Sequence, residues 1–111
     1  MKTIIQLTML SAAFLLPVSV AQAADAATNY SKKCASCHGK DGSGNTKMGK
    51  KKGARDYRDP KVQASFSDAE GVKAIKEGVK KKGKEVMKPY ADKFSAAEID
   101  ALMKYVRAFK K

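Results

Sequence analysis

Two thiols three residues apart, with an imidazole directly after the second, constrain this chain more than any other feature: Cys34-Ala35-Ser36-Cys37-His38. On a helical turn, positions 34, 37 and 38 point to one side. The chain's 2 cysteines and 1 histidine all fall in this cluster. A zinc centre needs about four ligands, and no second cluster supplies the fourth. A thioredoxin-like dithiol needs a βαβ setting that the remaining sequence does not offer. A disulfide closing so short a loop would be strained. The spacing is instead that of c-type haem attachment, in which each thiol adds to a vinyl group and the imidazole binds iron from one side.

The N-terminal segment points to export. Lys2 opens an apolar run from Ile4 to Leu16, Pro17 interrupts it, and Ala21-Gln22-Ala23 is a small-residue cleavage pattern. Residues 1–23 therefore read as a cleaved secretory signal peptide, and residues 24–111 as one domain. The run is short for a bilayer span, so no stable membrane insertion is expected after cleavage. Haem attachment and export both suit the periplasm. A domain of about 88 residues buries a marginal core by itself, and a covalently held apolar macrocycle would complete it.

The charge is strongly positive, with 23 Lys+Arg against 11 Asp+Glu in the full chain. Removing the leader removes only Lys2. The lysines form runs at Lys32-Lys33, Lys50-Lys51-Lys52, Lys80-Lys81-Lys82 with Lys84, and Lys110-Lys111. A solvated surface is the default reading of such runs. Nucleic acid is not the expected partner, since no aromatic platform is interleaved with them. Runs near an exposed haem edge would instead steer transient docking on acidic redox proteins.

Along the chain, Ala26, Tyr30 and Cys34 share one face of an expected helix from Asp25 to about Ala35. Residues 39–60 are punctuated by glycine and read as a long loop without elements of its own. One of its carbonyls is expected to accept the second ring N–H of His38 and so fix the ligand's orientation. Ser67-Asp68-Ala69-Glu70 is a capping box opening a helix expected to stop near the Lys80–Gly83 run. A second box, Ser95-Ala96-Ala97-Glu98, starts a closing helix with Ile99, Leu102, Met103, Val106 and Phe109 on one stripe. No strand pattern stands out.

The second axial position decides the chemistry. No other histidine exists, so the donors after the leader are Met48, Met87 and Met103. Met103 lies on the apolar stripe and reads as core. Met48 is close to His38 in sequence, on the side expected to stay proximal. Met87 is separated from His38 by a loop and a helix, and Pro89 braces its segment, so it is the expected distal ligand. His/Met ligation raises the potential relative to two histidines and fills both axial positions.

With these residues in hand, the chain resembles the class I cytochromes c, specifically the small monohaem bacterial type. The resemblance rests on Cys34, Cys37 and His38, on Met87-Lys88-Pro89-Tyr90, and on the helix from Glu98 to Lys110. It implies an all-α fold of three to five helices wrapped round a single haem c. It also implies that Tyr30 packs against the closing helix, with Leu102 and Tyr105 as partners. The family commonly orients its histidine with a proline carbonyl, but no proline occurs here between His38 and Asp59. The expected function is a monomeric periplasmic one-electron carrier, not an enzyme, shuttling between a membrane donor complex and a terminal oxidase, peroxidase or reductase. The alternatives are a gas-binding or peroxidatic haem protein with a labile distal ligand, and an electron-transfer subunit of a larger enzyme.

Overall fold

A computed structural model describes residues 20–111, with side chains from Asp25 onward. Residues 1–19 of the expected leader lie outside the described residues. No described helix is long and apolar enough to cross a membrane.

Six helices and one hairpin make up the described chain: α1 (Val20–Lys33), α2 (Ala35–His38), α3 (Lys47–Lys52), α4 (Pro60–Ala64), α5 (Asp68–Glu77), β1 (Val79–Lys81), β2 (Lys84–Met87) and α6 (Ala96–Arg107). The architecture is the mostly helical one expected. Both capping boxes form: Ser67 and Ser95 each accept from the backbone N–H three residues on, and Glu70 and Glu98 each accept from the cap N–H in return.

The core lies where α1 crosses α6. Tyr30, Ile99 and Leu102 are its most deeply buried large side chains, joined by Ala26 and Met103. Tyr30 packs at 4.9 Å from Tyr105 and 5.3 Å from Phe109, ring centre to ring centre. Its aromatic contact with the closing helix is therefore present, and Phe109 extends it beyond the residues anticipated.

Two expectations about local structure are corrected. The 39–60 loop holds α3, and α4 starts at Pro60, where the loop was expected to end. Thr46 caps α3 by accepting from Gly49 N, and Asp59 caps α4 by accepting from Lys61 N, with Pro60 in the first turn. The second correction concerns α5, which ends at Gly78 rather than in the lysine run. That run forms the antiparallel hairpin β1–β2 instead, with Lys82 and Gly83 at positive φ in its turn. The register shifts between Val79 and Lys80, so Val79 faces Met87 while Lys80 faces Glu85. This is a bulge on β2.

Candidate haem site

Cys34 closes α1, and its carbonyl starts the next turn by accepting from Cys37 N and His38 N. Both thiols and the imidazole therefore face one cavity of about 610 Å³, a size typical of cofactor sites. No disulfide joins the two cysteines. Burial, then the neighbouring Cys37, pushes the Cys34 thiol up to about 11. A thiol held neutral in this way is unlike the low-pKa cysteine of a redox dithiol. Burial also holds the His38 pKa below its ordinary value, favouring the neutral imidazole that metals bind.

The loop after His38 is tied back tightly. Thr46 Oγ1 donates to Ser36 O and Cys37 O at 2.8 and 2.9 Å, and Gly44 N donates to His38 O at 2.7 Å. A side chain at Gly49 would collide with the carbonyls of Cys37 and Gly44, so α3 lies flush on α2. A further correction concerns the ring itself: His38 Nδ1 is buried and donates to no loop carbonyl. The carbonyls of the loop take other donors. Gly39 O takes Tyr30 Oη and Gly42 N, Gly42 O takes Tyr57 N, and Gly44 O takes Thr46 N. The ring packs instead against Tyr57, centre to centre 5.4 Å. With Nδ1 sealed away, Nε2 is the nitrogen left to the cavity.

The opposite elements complete the wall. Ile75 of α5, Val79 of β1, Met87 of β2 and Leu102 and Met103 of α6 all line the same cavity. The three candidate sulfurs occupy different surroundings. Met103 is buried in the core as expected, its Sδ pressed to Gly71 while it also reaches the cavity. Met48 is 41 % exposed and rides on α3 beside the His38 turn, though it too lines the cavity. Met87 alone comes from the hairpin, an element remote from His38 in sequence. Two thiols, a neutral imidazole and three thioethers around an apolar hollow are a donor set that fits a covalently held haem with iron.

Two residues not singled out from sequence also matter here. Tyr57 contacts His38, and Gln63 donates from Nε2 to Tyr57 O and Val106 O at 2.7 and 2.9 Å, fixing that segment to α6. Arg107 donates to Gln63 O, Gln63 Oε1 and Phe66 O as well as to Asp68. Nothing in the local sequence distinguishes either from ordinary surface residues.

Fold and donor set together define a monohaem c-type cytochrome, an electron-transfer class with one covalently attached haem c. The chain belongs to the family described as cytochrome c oxidase, cbb3-type, subunit III, whose model matches residues 21–106. Among solved structures it is similar to the KustC0563 c-type cytochrome, at 38% identity and a TM-score of 0.68, covering 78% of this chain and 98% of that one. A tyrosine mutant of that protein matches at 36% identity and a TM-score of 0.68, covering 78% of this chain and 99% of the other. No curated protein matches.

Proposed function

We propose that Cys34 and Cys37 hold the haem through thioethers, that His38 and Met87 are its axial ligands, and that the domain is a one-electron carrier rather than an enzyme. When bound, the haem supplies a reversible Fe(III)/Fe(II) couple. The chain's own residues then do three things. Cys34 and Cys37 would hold the haem covalently at the end of α1, His38 Nε2 and Met87 Sδ would bind its iron, and Ile75, Val79 and Leu102 would exclude water from the cavity. Iron held by both His38 and Met87 would have no open position for bond chemistry on a substrate. The observation that carries this reading is that Met87, of the three methionines lining the cavity with His38, is the one that lies neither in the buried core, as Met103 does, nor on the helix packed beside His38, as Met48 does.

Residues 1–23 fit an export signal, which supports a periplasmic carrier made of residues 24–111. Lys33, Lys52, Lys81 and Lys88 line the cavity mouth, which favours transient docking of a monomer on acidic redox proteins. Electron-transfer service within a larger oxidase is the second reading, favoured by the family's description. Copurification of an oxidase at moderate salt would support it over a free shuttle.

Visible spectra of the oxidised and reduced protein, with and without carbon monoxide, test the ligation. A low-spin c-type spectrum with a weak far-red sulfur-to-iron band and no carbon monoxide shift is expected. Loss of that band in Met87→Ala completes the assignment. Rapid carbon monoxide binding by the unaltered protein would instead indicate a gas-binding or peroxidatic haem.

A further inference from the structure

We infer that Gly78 is a positioning residue for Met87, setting where the thioether stands. The inference rests on the reading of Met87 as an axial ligand. Gly78 caps α5 with φ 75 and ψ −177, a backbone region essentially restricted to glycine. Space restricts the position as well. A Cβ there would lie 2.5 Å from Met87 O, 2.9 Å from Pro89 N and 3.0 Å from Lys88 C. These are backbone atoms and cannot swing aside as a flexible side chain would. The Met87–Pro89 backbone is therefore laid directly on the α-carbon of Gly78.

The surrounding bonds make this contact a reference point for the ligand. Val79, the next residue, pairs with Met87 across the hairpin, and the β2 bulge at Val86, opposite the Val79–Lys80 step, turns the strand there. Just beyond Pro89, Tyr90 N donates to Ile75 O at 2.9 Å and Ala91 N to Lys76 O at 3.2 Å. Tyr90 Oη reaches Lys33 O at 3.1 Å, beside Cys34. Met87 is thus held between the end of α5 and the end of α1. A methyl at 78 would push the Met87 backbone away by roughly 1 Å, a displacement large enough to matter at a reacting centre. A thioether is a weak donor and does not pull the strand back.

Gly83 provides a matched control. It also has a positive φ, 77, in the same hairpin, but nothing lies within 4 Å of a Cβ built on it. The experiment compares Gly78→Ala with Gly83→Ala in the haem-loaded protein. G78A should lose the far-red sulfur-to-iron band, bind carbon monoxide when reduced and show a lowered midpoint potential. G83A should keep the unaltered spectrum. Both should retain covalent haem and helical circular dichroism, because the Tyr30–Leu102 core is built by other elements. The inference is overturned if G78A keeps band and potential, if G83A loses them equally, or if G78A does not accumulate as folded haem-loaded protein while G83A does. M87A separates the two levels. If M87A keeps the band, the ligand reading fails; if M87A loses it and G78A does not, only the role of Gly78 fails.

Discussion

Tyr30 donates its hydroxyl to the carbonyl of Gly39 at 2.6 Å, joining the first helix to the residue that follows His38. Burial, foremost, raises the Tyr30 pKa, so the hydroxyl remains a donor across the working pH range. Gly39 O also accepts from Gly42 N at 3.2 Å and is not orphaned when the hydroxyl is removed. Tyr30→Phe should therefore cost about 1 kcal/mol, the worth of one ordinary hydrogen bond. Urea unfolding of the haem-loaded variant measures this, and a loss several times larger would show that the bond sets the whole loop.

Arg107 is expected to be far more sensitive than its acidic partner. Its guanidinium binds two backbone carbonyls and Gln63 Oε1, and lies 4.3 Å from the centre of the Phe66 ring. Lysine cannot reproduce that fork, so Arg107→Lys should destabilise by about 2–4 kcal/mol. The bond to Asp68 is 2.8 Å long, but Asp68 is 76 % exposed, and Asp68→Ala should cost less than about 1 kcal/mol. Equal losses in the two variants would contradict this ranking.

Charge reversal at Lys80, Lys81 and Lys82 should slow electron transfer with an acidic partner at low ionic strength, by about tenfold or more. The difference should vanish near 1 M salt, where screening acts over about 3 Å. Stopped-flow rates that match the unaltered protein at low salt would refute electrostatic docking through the hairpin.

Acid should weaken the fold through three carboxyls, Asp41 exposed and Asp56 and Glu98 half-buried. Hydrogen bonds from Ser43 lower the Asp41 pKa, those from Arg58 lower Asp56, and those from Ser95 lower Glu98. Each folded value lies below its unfolded one, so the stabilisation is complete above the ordinary values of 3.8 and 4.5 and is lost as pH falls through the lower folded values. Asp41→Asn, Asp56→Asn and Glu98→Gln together should flatten the loss of stability below about pH 4. An unchanged acid limb in unfolding curves would assign that loss to other groups.

The elements with strong local chemistry were legible in the sequence. Ser67 and Ser95 announce their helices because both halves of each capping box are local, and the α6 stripe persists over three turns. The haem cluster was legible for the same reason, being contiguous. Helices α3 and α4 are six and five residues long, too short to display a helical period. The hairpin was hidden by composition, since Lys80, Lys81, Lys82, Lys84 and Glu85 show no apolar alternation. The burial of His38 Nδ1 depends on how Tyr57, nineteen residues on, packs against the ring, information that no spacing contains.

Lys81 Nζ lies 3.5 Å from the position of a side-chain carbon on Gly53, so the hairpin folds back onto the end of α3. Two lysine runs some thirty residues apart in the chain thereby share one face, and none of the ion pairs among the described residues involves them. Like charges gathered this way repel, and the molecule at rest carries an internal pressure at the mouth of its own cavity. An anionic surface relieves that pressure on contact.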